Sequence, residues 1–265
     1  MKKLGFIGTG NMGGALILAA SKSKTEKELL LSDIITEKAK ALAEKTGGRA
    51  VDNKTVAKEA DFIFLGVKPQ MLADTMEEIA PVLKERKDRF VLVSMLAAFT
   101  SERINKAAEG DYPVIRIMPN TPVSVGEGMI IYAPNDKVTE EELEFFLEAF
   151  KEAGRFSLLP EKLIDAGASV AGCGPAFVDL FVEALADGGV ACGLPRAKAM
   201  EYAAQMVCGA AKLILESEKH PGQLKDEVCS PGGTTIQGVR ALEKGGFRSA
   251  VTEAVIAAYE KNFDL

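Results

Sequence analysis

Histidine is almost absent from these 265 residues: His220 is the only one. An imidazole-built zinc site and a Ser/His/Asp triad both need more than that, so no metal site is assigned and triad hydrolysis is not expected. Cysteine is sparse too. Cys173, Cys192, Cys208 and Cys229 are scattered with no C-x-x-C spacing, which reads as reduced thiols in a cytosolic chain. Positive charge is not in excess. The 32 Lys and Arg face 38 Asp and Glu, a net charge of -6, and this argues against a nucleic-acid or anionic-membrane surface. No uninterrupted apolar run approaches the ~18 residues that cross a bilayer. The opening MKKLGFIGTGNMGGALILAA resembles a secretory leader in charge and apolar content, but Gly8, Gly10, Asn11, Gly13 and Gly14 break it where a leader stays apolar. A cytoplasmic location is therefore the expectation. The remainder is ordinary: 47% hydrophobic and 26% charged residues describe a folded chain of one large or two smaller domains.

The first half alternates between strand-like and helix-like stretches. Short apolar runs recur at Lys3–Ile7, Leu29–Leu31, Phe62–Val67, Phe90–Val93, Val114–Met118 and Met129–Tyr132. Stretches of helical length such as Glu37–Thr46 and Gln70–Leu83 lie between several of them. That order predicts an α/β doubly wound, mainly parallel sheet with helices on both faces. Thr139-Glu-Glu-Glu142 has capping-box spacing and predicts a helix over Glu140 to Ala153.

In this setting the glycines at the start acquire a chemical meaning. Gly8-Thr9-Gly10-Asn11-Met12-Gly13 sits directly between a strand and a helix. The first glycine permits a tight turn, the second lets a pyrophosphate approach the backbone, and the third allows close helix–strand packing; the helix N-terminus then faces the phosphate charge. Ser32 and Asp33 end the second strand, about 20 residues on, where a carboxylate can accept from ribose hydroxyls. A carboxylate there also repels a 2′-phosphate, and the nearest cations, Lys38 and Lys40, sit inside the next helix. Asp33 therefore favours NADH, with NADPH usable.

From about Pro160 the strand-like runs stop. Residues 161–187 and 195–217 carry apolar side chains at helical spacing with many alanines. Cys192-Gly193-Leu194-Pro195 reads as a helix stop followed by a helix start. The expected division is thus a dinucleotide-binding domain over 1–159 and an all-helical domain over 160–265. About 100 residues of such apolar helix are expected to bury their faces against a second copy. Near the C-terminus, Ser230-Pro231-Gly232-Gly233-Thr234-Thr235 precedes the amphipathic pattern Ile236, Val239, Leu242. Glycines and threonines thereby occupy a helix N-terminus, whose free N–H groups favour a small carboxylate. The Ser230, Thr234 and Thr235 hydroxyls add further polar contacts.

These motifs together resemble the pyrroline-5-carboxylate reductase family over nearly the whole length. The carrying residues are GFIGTGNMG (5–13), VKP (67–69), MPNTP (118–122), GCGPAF (172–177), EALADGGVACGLPR (183–196) and HPGQLKDEVCSPGGTT (220–235). The resemblance implies an N-terminal Rossmann domain and a C-terminal helical dimerisation domain that interleaves with its partner's in an intertwined homodimer. Larger rings of dimers occur in the family. It implies reduction of 1-pyrroline-5-carboxylate to L-proline by NADPH or NADH, the last step of proline biosynthesis. Carried over by position, the glycine loop holds pyrophosphate and Asn53 approaches the adenosine half. Val67, Lys68 and Pro69, with Met118, Pro119 and Asn120, line the nicotinamide side. Ser230 to Thr235 hold the substrate, Glu218 lies near it, and Thr235 is the candidate donor to the ring nitrogen. Two positions depart from the family pattern: Cys173 where Ser is usual, and Ala98 where Gly is frequent.

Two rival readings stand beside this one. A hydroxyacid dehydrogenase would want a catalytic Lys or His near GCGPAF, and residues 165–187 contain neither. A nucleotide-sensing regulator without catalysis would have no use for an intact SPGGTT turn.

Overall fold

The computed structural model describes residues 1–262. Among them eight strands form a single sheet in the order β3-β2-β1-β4-β5-β6-β7-β8. The strands are β1 Lys2–Ile7, β2 Lys27–Ser32, β3 Arg49–Ala50, β4 Phe62–Leu65, β5 Val91–Ser94, β6 Val114–Met118, β7 Gly128–Pro134 and β8 Gly154–Leu158. The first six are parallel; β7 runs antiparallel to β6, and β8 parallel to β7. Helices α1 Asn11–Lys22, α2 Thr36–Thr46, α3 Asn53–Glu59, α4 Leu72–Glu85, α5 Ser101–Ala107 and α6 Glu140–Ala149 connect or flank them.

Period-2 geometry explains why the central strands are apolar throughout. On β4, Phe62 and Phe64 face the cluster that includes Leu16, Ile17 and Phe150, while Ile63 and Leu65 face the one with Val56, Met76 and Ile79. Both faces are covered, as parallel sheets require. The capping box at Thr139 is formed in both directions. The helix it opens is shorter than the sequence pattern suggests, ending at Ala149; Lys151–Ala153 tighten into a 3-10 turn and Gly154 takes φ 132. Helix α7, Ile164–Ala171, packs Ile164 against Ile131 and Ala133 of β7. The chain then divides into two compact units, one of Met1–Gly172 with the segment from Tyr259, the other Cys173–Ala258.

The second unit is helical: α8 Gly174–Ala191, α9 Arg196–Glu216, α10 Pro221–Val228, α11 Thr234–Lys244 and most of α12 Phe247–Lys261. Between α8 and α9, Gly193 takes φ 95, its N–H reaches the Val190 carbonyl, and the Leu194 N–H reaches that of Gly189. These two bonds make a Schellman motif, which is how the helix stop read from Cys192-Gly193-Leu194-Pro195 is built. Small residues let the two helices close up, with Ala186, Ala199 and Ala203 buried between them. Little else is covered within one chain. Leu180 (68% exposed), Tyr202 (55%) and Leu215 (65%) all lie open, far more apolar surface than a lone globular unit leaves bare.

The helical run Glu161–Ala191 is long and apolar enough, by length and composition, to cross a membrane. Counting uninterrupted apolar residues misses it, because glycine, serine and a few charges break the runs without making the average polar.

Candidate dinucleotide site and substrate turn

Strand order fixes the place of the first site. Between β1 and β4 the order reverses direction, and in open α/β sheets ligands bind at the carboxyl ends of strands at such a point. Gly8 to Gly13 leave β1 there and Gly66 to Pro69 leave β4, in register through the Ile7–Leu65 pair. Gly8 has φ 102, and a Cβ on it would lie 2.6 Å from the Gly66 carbonyl oxygen. At Gly13 a Cβ would lie 2.4 Å from the Gly8 carbonyl oxygen. These two glycines are demanded by the chain itself.

Gly10 is not. A Cβ there meets nothing within 4 Å, so the open space beside its backbone is what a pyrophosphate would need. Gly10 is also the N-cap of α1, with no side-chain cap and no acidic residue in the first turn, which opens with Asn11 and Met12. Free N–H groups at an uncapped helix start attract an anion. The residues present thus fit a dinucleotide.

Around this loop the other predicted side chains are already engaged. Asp33 Oδ2 accepts from the Thr9 N–H at 2.7 Å and the Thr9 hydroxyl at 2.8 Å, and its Oδ1 accepts from the Ile35 N–H at 2.9 Å. Burial alone would raise this carboxyl, but those donors outweigh it and hold it below the ordinary carboxylate range. The Ser32 hydroxyl donates to Asn53 Oδ1 at 2.7 Å, and Asn53 Nδ2 donates to Glu78 Oε2 at 2.7 Å. Glu78, on α4, carries no local sequence signal; only the fold brings it to Asn53. Val67 is half-buried, Lys68 and Pro69 are exposed, and Lys68 opens a 3-10 turn. At the end of β6, Met118 and Pro119 lead into Asn120, which is buried. Its Nδ2 donates to the Ala171 carbonyl at 2.9 Å and its Oδ1 accepts from the Met129 N–H at 2.9 Å. That amide is occupied in tying β6, β7 and α7 together.

The second site lies wholly in the helical unit. The Gly233 N–H donates to the Ser230 carbonyl at 3.0 Å across Pro231 and Gly232, and Gly232 has φ 71. Proline second and a left-handed glycine third are the requirements of a type II turn. Gly233 caps α11 with no side-chain bond, and no acidic residue occupies the first turn. A Cβ on Gly233 would lie 2.4 Å from Ser230 Oγ, so this glycine lets the serine hydroxyl sit against the helix start. Thr234 and Thr235, the first two residues of α11, are exposed, and neither hydroxyl is bonded among the described residues. Glu218 is exposed in the loop after α9. His220 serves as a cap: its Nδ1 accepts from the Gly222 N–H at 3.1 Å and opens α10.

Fold and edge together define a Rossmann-type, dinucleotide-binding unit, joined in the chain to a helical one. Known proteins narrow this further. Residues 161–265 match the family model described as pyrroline-5-carboxylate reductase dimerisation. Residues 3–98 match one described as NADP oxidoreductase coenzyme F420-dependent. The pyrroline-5-carboxylate reductase of Escherichia coli (strain K12) is 43% identical over 264 residues, spanning 98% of this chain and 97% of its own. That of Glycine max is 39% identical over 265 residues, 99% and 95% of the two chains. The Plasmodium falciparum pyrroline carboxylate reductase, solved with NADP bound, superposes with a TM-score of 0.87 at 31% identity, covering 98% of this chain and 97% of that one. The chain belongs to the pyrroline-5-carboxylate reductase family. Its residues 161–265 match that family's dimerisation region, which supports self-association as a homodimer.

Proposed function

We propose that this chain reduces 1-pyrroline-5-carboxylate to L-proline with NAD(P)H, and that Thr235 is the side chain acting at the ring nitrogen. The observation that carries the residue assignment is the start of α11: an uncapped helix N-terminus beside two unbonded threonine hydroxyls and a turn-held serine. A helix start of this kind suits the substrate carboxylate, which accepts from the N–H groups of Gly233, Thr234 and Thr235 and from the Ser230 hydroxyl. Thr235 donates to the imine nitrogen. As the C=N carbon is reduced, an electron pair shifts onto nitrogen, which takes a proton through the Thr235 hydroxyl while that exposed hydroxyl takes one from solvent. Bound reduced nicotinamide supplies the hydride. The glycine loop and the start of α1 bind the pyrophosphate, and Ser32 and Asn53 lie at the adenosine end. Val67 to Pro69 and Met118 to Asn120 form the nicotinamide side through their backbone and apolar surface. Glu218 contributes a carboxylate near the substrate.

The functional boundary falls at 159/160, supported by the end of β8 at Leu158 and the start of the dimerisation match at 161. The homodimer is intertwined, its interface built from α8 and α9, and it assembles further into rings. The apolar run 161–191 is buried by the partner copy and not by lipid, and the enzyme works in the cytoplasm.

Steady-state kinetics on Thr235→Ala and Thr235→Ser test the assignment, with loss of reduced-nicotinamide absorbance as the signal. Removing a hydrogen bond to a charged centre is worth ~1.5–3 kcal/mol, so the alanine variant loses roughly 10- to 150-fold in kcat/KM. The serine variant keeps most activity, and dinucleotide affinity moves in neither. Near-normal kcat/KM for Thr235→Ala would remove Thr235 from the chemistry and leave the turn as a carboxylate clamp.

A further inference from the structure

Asp33 stands where the carboxylate of a dinucleotide fold is expected to hold the ribose, yet its hydrogen bonds run the other way, into the glycine loop. Oδ2 takes both donors of Thr9, and Oδ1 takes the Ile35 N–H. A carboxylate offers about four lone-pair sites, and three are filled by the chain. One is left, too few to accept from two ribose hydroxyls.

The recipient of those bonds is informative. Thr9 is the residue between Gly8 and Gly10, and it is buried at 7% exposure. A Gly-x-Gly segment is the most flexible backbone a loop can have, and holding its N–H groups ready for an anion needs an external restraint. The Gly8 N–H is tied to the Ser32 carbonyl at 2.8 Å; the next residue is tied twice to Asp33. The end of β2 therefore splints the loop that follows β1.

We infer that Asp33 is a positioning residue for the glycine loop, acting through Thr9, and that it does not decide between NADH and NADPH. This rests on the reading that the loop holds a dinucleotide. The low carboxyl pKa agrees with the geometry, since donors converge on the charged form. It follows that the adenosine-end 2′ substituent is sensed elsewhere, and that loss of Asp33 or of the Thr9 hydroxyl weakens both dinucleotides alike.

Direct titration of the intact homodimer with NADH and with NADPH, read by nicotinamide fluorescence, tests this without reference to turnover. Asp33→Asn turns an amide N–H2 toward a donor, and Thr9→Val deletes the hydroxyl at nearly constant volume. Each weakens both dinucleotides by about tenfold, the scale of one hydrogen bond to a charged group, and keeps the ratio of the two Kd values within about threefold of wild type. Thr9→Ser restores the hydroxyl and wild-type affinity. A ratio moved by more than about tenfold, with NADPH gaining as NADH loses, would make Asp33 the ribose acceptor and overturn the inference. So would wild-type binding of both dinucleotides by Thr9→Val, which decides the matter alone if circular dichroism shows Asp33→Asn to be misfolded. Failure of the wild-type protein to bind either dinucleotide would instead remove the function on which the inference rests.

Discussion

Asp165→Ala should be among the most damaging single changes in the first unit, although it touches no proposed ligand contact. Arg116, on β6, is 1% exposed, and its Nη2 donates to Asp165 Oδ1 of α7 at 2.5 Å. Its Nε is buried with no hydrogen-bond partner among the described residues. The pair is unequal, because the Asp165 side chain is 29% exposed. Deleting the aspartate strands a buried guanidinium that water cannot reach, and breaking such a pair costs roughly 3–5 kcal/mol; the partial exposure of Asp165 puts the expected loss near the lower figure. Deleting the arginine is different. Arg116→Met fills much of the same volume with apolar atoms and leaves a carboxylate that water can still solvate, so the loss should stay within about 1 kcal/mol. For a chain of this length 1 kcal/mol shifts Tm by about 2–4 °C. Asp165→Ala should therefore fall by roughly 6–12 °C and Arg116→Met by at most about 4 °C. The assay is thermal unfolding followed by far-ultraviolet circular dichroism at one fixed concentration, since a homodimer's Tm depends on concentration. Equal losses, or the larger loss in Arg116→Met, would refute the argument from unequal burial.

Three further outcomes follow from particular positions. Ala98 holds φ 60 in a non-glycine residue, a strain of about 1–2 kcal/mol. Ala98→Gly relieves it at an entropic cost of about 0.5–1 kcal/mol, a net gain of about 0–1.5 kcal/mol, so Tm should rise by up to about 6 °C, and a lower Tm would show that the loop has relaxed the strain. Gly10→Ala and Gly13→Ala should separate binding from folding. The first puts its Cβ in open space and should weaken dinucleotide binding with little change in Tm; the second meets backbone 2.4 Å away and should lower both. Equal effects of the two on Tm would contradict this. Acid should act late. Glu59 is held low by its hydrogen bond from Lys3. For Asp33 and Glu142 burial pushes upward but is outweighed, at Asp33 by donors from Ile35 and Thr9, and at Glu142 by those from Arg89 and Thr139. Carboxyls lowered on folding contribute stability above their unfolded values near pH 4 and lose it as pH falls through the lower folded ones. Tm should hold between about pH 7 and pH 5 and drop below about pH 4; a drop already complete at about pH 5 would point to other groups.

Much of the architecture was legible in the sequence because the informative elements are long or carry their own punctuation. Strand β1 is followed at once by glycines, α6 opens on a reciprocal cap, and α8 ends on a glycine that can only be left-handed. Apart from α12, which was read only as part of a helical domain, the elements left unread are short ones. Strand β3 is two residues long, α3 and α5 are seven each, and none spans enough residues to display a period. Strand β8, Gly154–Leu158, has no fully buried residue, so its pattern lacks the apolar contrast that marked β4 and β5. The bare helices of the second unit were legible for the opposite reason. Their alanine-rich faces exceed what one chain of that size can cover, and that imbalance is visible in composition before any coordinate.

The candidate site divides along a similar line. Residues whose chemistry is local, such as Gly8 and Gly13 of the first loop and Gly232 before α11, announce their roles because few other residue types meet the same backbone demand. A hydrogen-bonding side chain announces only what it is able to do. Asp33 can accept from a ribose or from a loop with equal ease, and the choice is set by Thr9, 24 residues earlier in the chain and beside it only because β1 and β2 are parallel neighbours. The same holds for Asn53, whose amide is held by Ser32 and by Glu78 on a separate helix, and for Asn120, whose partners lie on β7 and α7. Sequence fixes the set of bonds such a side chain can make. Strand order selects among them, and in this protein it gives Asp33, Asn53 and Asn120 partners from elements distant in the sequence.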